Sequence, residues 1–183
     1  MKIKIETDRL IIRPFKKSDY KLVAQACNDY EVAKMTLGIP VPYTEQDAKN
    51  FIDYTLESIK LGKTYELAIA FKDKPNEVIG CMALVNVSTK ANNAELAYWI
   101  ARKHWGKGVA TEGAKAIIDF AFNTLNMHSI YARYFDINPA SGRVMEKCGM
   151  TYVGIMREHK FRFDKYYNVV HYELLKSDLQ KNE

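Results

Sequence analysis

The stretch WGKGVATEG, residues 105–113, constrains this chain more than any other. It lies between ELAYWIA, an apolar segment that reads as a strand, and AKAIIDFAFNTL, which reads as a helix. A strand that hands over to a helix through backbone almost bare of side chain is an arrangement that binds anions. The first N–H groups of a helix lack partners inside it, and the helix dipole puts partial positive charge there. Glycine lets phosphate oxygens come close to that backbone. Gly106, Gly108 and Ala110 remove bulk and Lys107 adds a positive charge. Taken alone, the loop fits a tight strand-to-helix turn without a ligand equally well. Its spacing is not G-x-G-x-x-G, and G-x-x-x-x-G-K-[ST] is absent, which disfavours nicotinamide cofactors and a nucleotide P-loop.

The surrounding pattern predicts the rest of the fold. RLIIRPF reads as a strand ending at Pro14, and Ser18 as the cap of a helix through about Asp29 with Leu22, Val23 and Ala26 inward. LGIPVPY is a loop because of its two prolines. Thr44 and Asp47 form a capping box, and Ala48, Phe51, Ile52, Leu56 and Ile59 then share one face of a helix that stops near Gly62. YELAIAF has period two, with Tyr65, Leu67, Ile69 and Phe71 on one face. Together with EVIGCMALVNVS and AELAYWIA it predicts an antiparallel meander. After the glycine loop and its helix come a strand, HSIYARYF, and a helix opened by Asn138 and Pro139 and closed at Gly149. Two strands, TYVGIMREHK and YYNVVHYELL, joined through FRFDK, complete the chain. This order predicts one α/β (α+β) domain over residues 1–183, with helices on both faces of a mixed sheet.

Bulk properties exclude several classes. The 183 residues are the length of one domain, and no run nears the ~18 apolar residues of a membrane span. MKIKIETDRL holds no unbroken apolar run, so no signal peptide is expected. Cys27, Cys81 and Cys148 are far apart and lack ligand spacing, as do the four histidines, so reduced thiols in a cytoplasmic protein and no metal site are expected. A net charge of +5 is mild, and no stripe of basic residues interleaved with aromatics supports nucleic-acid binding.

The motifs resemble the GNAT superfamily of acyl-CoA N-acyltransferases, whose pyrophosphate loop reads [QR]-x-x-G-x-[GA]; WGKGVA fits from its fourth position, with Trp105 in place of the polar residue. ELAYWI before WGKGVATE, the opening TDRLIIRPFKKSD and the segment NPASGRVMEKCGM are similar to the RimJ/RimL-type branch, the ribosomal-protein N-terminal acetyltransferases. The resemblance covers nearly the whole chain. It implies a mostly antiparallel, twisted sheet of about seven strands flanked by about four helices, with splayed central strands. Acetyl-CoA would be the acyl donor. The backbone of Gly106, Lys107, Gly108, Val109, Ala110 and Thr111 would hold its pyrophosphate, and the strand ending at Trp99 and Ile100 would pair with the pantetheine arm. A backbone N–H near Ile100 would polarise the thioester carbonyl. Asn138 would bond the pantetheine and Arg143 reach the cofactor; as bare sequence, they read equally as a helix cap and a surface charge.

Amine acetylation needs a neutral nucleophile, a stabilised oxyanion and a proton for the leaving thiolate. A lysine-type amine of pKa ≈ 10.4 costs about 4.6 kcal/mol to neutralise at pH 7, a chain-terminal amine near 7.8 only about 1.1. A base is thus optional for N-terminal acceptors and needed for lysine or polyamine. Glu95, beside the splay, is the candidate base implied by the resemblance. Ser141 is the candidate acid, because the tyrosine usual in the superfamily is replaced here by Met145. Segment 28–57, where the family builds its acceptor wall, holds Asp29, Glu31, Glu45, Asp47, Asp53 and Glu57 against two lysines, which would steer a cationic amine. Tyr30, Tyr43, Trp99 and Phe161 are candidate pocket walls. The expected activity is transfer of an acetyl group to a primary amine, a protein N-terminus or a small amine, by direct attack in a ternary complex. The alternative is a catalytically silent acyl-CoA sensor or interaction module of the same fold. Dimers occur in such families, so a homodimer stays open.

Overall fold

The computed structural model describes residues 3–179, so the first two residues of the opening segment and the last four of the chain lie outside the description. Among the described residues all strands belong to one eight-stranded sheet ordered β1-β2-β3-β4-β5-β6-β8-β7. β1 (Ile5–Glu6), β2 (Leu10–Pro14), β3 (Tyr65–Phe71), β4 (Gly80–Ser88) and β5 (Asn93–Ile100) pair antiparallel in sequence. β6 (Ser129–Phe135) is parallel to β5, and β8 (Lys165–Leu175) joins β6 to β7 (Thr151–Arg162). The two-residue β1, invisible to a period-based reading, makes the eighth strand.

Helices cover both faces. α1 (Tyr20–Cys27), α2 (Tyr30–Lys34) and α3 (Glu45–Lys60) lie on one, and α4 (Val109–Asp119) and α5 (Pro139–Lys147) on the other; α6 (Lys176–Leu179) follows β8. The single helix expected from Ser18 to Asp29 is three pieces. A 3-10 turn covers Lys17–Asp19, α1 ends at Cys27, and Asp29 caps the separate α2 by accepting from the N–H of Glu31 at 2.8 Å. An aspartate that offers its carboxylate to the N–H two residues on starts a new helix rather than extending the old one. The capping box of α3 forms as expected, with Thr44 and Asp47 bonding each other's backbone N–H.

The alternation in β3 carries more than the expected half-buried face. Leu67 and Ile69 pack under α4, while Ala68, on the other side, is equally buried under α1 and α3. α4 approaches the sheet so closely that a Cβ on Gly113 would stand 2.9 Å from Ile69 Cδ1 and Met82 Cε. Against this rigid platform, β5 and β6 part company. Their parallel pairing runs only from Asn93 and Ser129 to Leu96 and Ala132, although both strands continue. The gap opens a cavity of about 910 Å³ that passes through the sheet from the α4/α5 face to the α1/α3 face.

Candidate active site

At the α4 end of this cavity, Gly106 and Gly108 have φ of +71° and +75°, a region that strains any residue with a Cβ. Gly108 is the N-cap of α4 and contributes no side chain, and the first helical bond recorded runs from Glu112 N–H to the Gly108 carbonyl. The N–H groups of Val109, Ala110 and Thr111 therefore have no helical carbonyl to meet. A cradle of orphan donors on glycine-lightened backbone fits a diphosphate. Lys107 folds back to donate to the Lys103 carbonyl at 2.9 Å, and so keeps its charge beside the loop. Arg143 and Lys147, one turn apart on α5, line the same half of the cavity.

The loop is braced by residues the sequence did not point to. Arg9 in the β1–β2 connection donates through Nη2 to the Lys107 carbonyl at 3.2 Å and through Nε to Glu112 Oε2 at 2.7 Å. Thr7 and the Arg9 backbone N–H donate to the other Glu112 oxygen. The opening TDR and the TE of the loop motif are thus one hydrogen-bonded unit across about a hundred residues. Nothing in local periodicity could couple them.

The edge of β5 facing the splay is aligned by Trp105, whose indole N–H donates to the Ile100 carbonyl at 2.7 Å. The Ala101 N–H goes the other way, to Ile79 of the segment before β4. Strand alternation then turns the N–H groups of Tyr98 and Ile100 toward the opening between β5 and β6, where an extended acyl carrier could pair. Ile100 lines the cavity at the end of β5, and Trp99 lines it on the α1/α3 side of the sheet.

Glu95 and Ser141 both line the cavity, in different settings. Glu95 is buried, and its oxygens accept from Arg133 Nε at 2.9 Å, Arg133 Nη2 at 2.7 Å and Asn86 Nδ2 at 2.8 Å. The Tyr131 hydroxyl also lies beside this carboxyl, so most of its lone-pair positions face protein donors. Arg133 stands one residue past the last β5–β6 pair, so this ion pair pins the vertex of the splay. Ser141, in the first turn of α5, shares a 2.7 Å hydrogen bond between its Oγ and the Tyr98 hydroxyl. Burial pushes the Tyr98 phenol far up, so it stays a neutral hydroxyl. Met145 is core, packed at 1% exposure. Asn138 caps α5 by accepting from the Ser141 N–H, and its Nδ2 donates to the Met35 carbonyl at 3.1 Å; Arg143 is an exposed side chain at the cavity rim.

On the α1/α3 side the cavity is walled by Cys27, Tyr43, Phe51, Cys81 and Glu66. Tyr43 and Trp99 line it as expected, whereas Tyr30 and Phe161 stay half exposed outside it, Tyr30 edge-on to Phe163 and Phe161 against Tyr166. The acidic segment is likewise spent on local structure. Asp29 and Asp47 cap helices, Glu31, Asp53 and Glu57 pair with Lys34, Lys17 and Lys60, and none of the six carboxylates lines the cavity. A different residue closes this side. Arg162, at the end of β7, reaches across to donate to the carbonyls of Ala33, Thr36 and Ile39, strapping the β7–β8 hairpin over the loop after α2. All three cysteines are buried free thiols; burial pushes Cys27 up to about 12 and Cys148 to about 11, and Cys81 well above its usual value. Among the described residues no group of three His, Cys, Asp or Glu is placed to hold a metal ion, and no helix is long and apolar enough to cross a membrane.

Comparison with known proteins agrees with this arrangement. The chain is 28% identical over 173 residues to an uncharacterized N-acetyltransferase, p20, of Bacillus licheniformis, covering 94% of this chain and 96% of that protein. It is 25% identical over 169 residues to a spermidine N(1)-acetyltransferase of Vibrio cholerae, covering 92% and 94%. The solved structure of RimL, a ribosomal L7/L12 alpha-N-protein acetyltransferase in complex with coenzyme A, superposes with a TM-score of 0.86 at 16% identity, covering 94% of this chain and 98% of that one. Residues 9–151 match the model of the acetyltransferase (GNAT) domain, and since that span holds the braced loop, the splayed strands and the start of α5, this chain belongs to the GNAT acetyltransferase family and takes acetyl-CoA as its acyl donor.

Proposed function

We propose that this N-acetyltransferase moves an acetyl group from acetyl-CoA to a primary amine, a protein N-terminus or a small amine, by direct attack in a ternary complex. The observation that carries it is the cavity through the sheet. One mouth ends on the orphan N–H groups of α4, the other on the pocket under α1 and α3, and the Tyr98 and Ile100 N–H groups lie between. Donor and acceptor entering from opposite faces would meet in the splay without a covalent relay. The chain's own nucleophiles favour the same route, because buried thiols held this far above neutrality supply no thiolate.

In this reading the nitrogen attacks the thioester carbonyl carbon and the Ile100 N–H stabilises the oxyanion. Glu95 takes the ammonium proton through water in the cavity that its side chain lines. As the C–S bond breaks, Ser141, held by the neutral Tyr98 hydroxyl, gives its proton to the thiolate and regains one from water in the open cavity. Gly106 to Thr111, Lys107 and Arg143 hold the diphosphate, and Asn138 orders the turn beside the pantetheine. A single domain spanning 1–183, working in the cytoplasm, is part of the proposal; one continuous sheet supports the first. Incubation with acetyl-CoA and panels of peptides, polyamines and aminoglycosides, read by free-thiol release, tests it. Thiol release with at least one amine is expected. Silence across the panels with coenzyme A binding intact would instead mark a sensor built on the transferase fold.

A further inference from the structure

The acceptor half of the cavity holds one carboxyl group without an assigned role. Glu66, on β3, faces Ala83 of β4 in register, and Ala83 faces Ala97 of β5. The two alanines leave a low floor running from Glu66 straight to the splay. No ion pair is formed by its carboxyl; Oε2 is covered without a donor, and the Thr64 hydroxyl is the one polar side chain that offsets its burial. Its neighbours in the wall are Cys27, Tyr43, Phe51 and Cys81, none of them basic. A partly desolvated carboxylate without a counter-charge is costly unless a cation completes it. By contrast, the fully buried acids among the described residues, Asp19 and Glu95, each have an arginine, whereas Glu66 is half-buried with none.

We infer that Glu66 is the seat for a second cationic group of the acceptor, so that the acceptor class is an amine carrying another positive charge about two strand spacings, roughly 10 Å, from the nitrogen that attacks. The inference rests on the transferase reading for the position of the attacked carbonyl, in the splay beside Ala97. Burial raises the Glu66 carboxyl to about 7, so a bound cation would draw the proton off it and binding would strengthen as the pH rises past that value. Other groups facing it leave the window clear. Cys27, Cys81 and Tyr43 are held neutral by burial, Asp47 beyond Tyr43 is held low by Thr44, and the Glu95–Arg133 pair is internally compensated.

The test is calorimetric titration of the coenzyme A-saturated protein with α,ω-diaminoalkanes and with n-alkylamines of matched length, between pH 6 and 8. The diamine whose nitrogens span about 10 Å is expected to bind on the order of tenfold more tightly than its monoamine, an advantage that grows with pH and disappears in Glu66→Gln. A parallel arm compares tripeptides ending in lysine or norleucine, and separates a peptide source of the second charge from a small diamine. Equal affinities for diamine and monoamine in the wild type, or a preference that survives in Glu66→Gln, would overturn the inference. The pH profile of the wild type decides the matter even if the variant is unstable, since a preference flat from pH 6 to 8 also overturns it. Because binding is read without turnover, Glu66-dependent diamine binding with no thiol release would refute the transferase reading alone, while acetylation of diamines and monoamines bound with equal affinity would refute this one alone.

Discussion

Removing the charge from Glu66 should make the protein more stable at pH 8, although the substitution lies in the cavity. Burial lifts this carboxyl from its ordinary 4.5 to about 7. In the unfolded chain it loses its proton near 4.5, whereas in the folded protein it keeps it until about 7. Between these values the unfolded state is favoured progressively, and above 7 the penalty is constant. At 1.36 kcal/mol per unit, the full penalty is about 3 kcal/mol, and water in the cavity reduces it. Glu66→Gln keeps the shape and never ionises. It should match the wild type near pH 4 and exceed it by about 1–3 kcal/mol at pH 8, a rise in Tm on the order of 5 °C for a chain of this size. Thermal unfolding of both proteins from pH 4 to 8, without ligands, reads the difference. A variant that is less stable than the wild type at pH 8, or a gap that does not widen with pH, refutes the idea that Glu66 is an uncompensated carboxyl.

Three further outcomes are expected. Gly108→Val forces a β-branched residue to φ of +75° at the start of α4, and should weaken coenzyme A binding by tenfold or more in an equilibrium titration while the fold persists. Arg133→Met strands the buried Glu95 carboxylate and should cost about 3 kcal/mol in denaturant unfolding, much of it recovered by adding Glu95→Gln; equal stabilities of the single and double variants would contradict the pin at the splay. Ser141→Ala should lower kcat by about ten- to a hundredfold with KM for acetyl-CoA little changed, since its proton is needed only as the thiolate leaves.

What the sequence disclosed and what it hid divide along the range of the interaction. The α3 capping box, the meander and the glycine loop depend on residues within a few positions of one another, and they stand where expected. The break between α1 and α2 is also local, but the sequence there reads as one continuous helix because an aspartate can as well end a helix as cap the next. The brace of Arg9 on Lys107 and Glu112, the strap of Arg162 and the Glu95–Arg133 pin span from 38 to 129 positions, and no periodicity encodes them. Glu66 looked like any polar residue on an alternating strand. Only the helices laid over that face of the sheet make it a half-buried acid in the cavity wall. The acidic run before and within α3 misled for the converse reason, because charges near in sequence were consumed by neighbouring lysines and N–H groups before they could reach the cavity.

The most direct measurement is an NMR titration of the amide N–H signals of residues 106–111 with coenzyme A, alongside the same titration with pantetheine, which has no diphosphate. If the orphan donors of α4 grip the diphosphate, coenzyme A should move these signals more than any others in the protein and pantetheine should leave them nearly still. Coenzyme A binding that shifts signals elsewhere while Gly106 to Thr111 stay in place would contradict the account at its root.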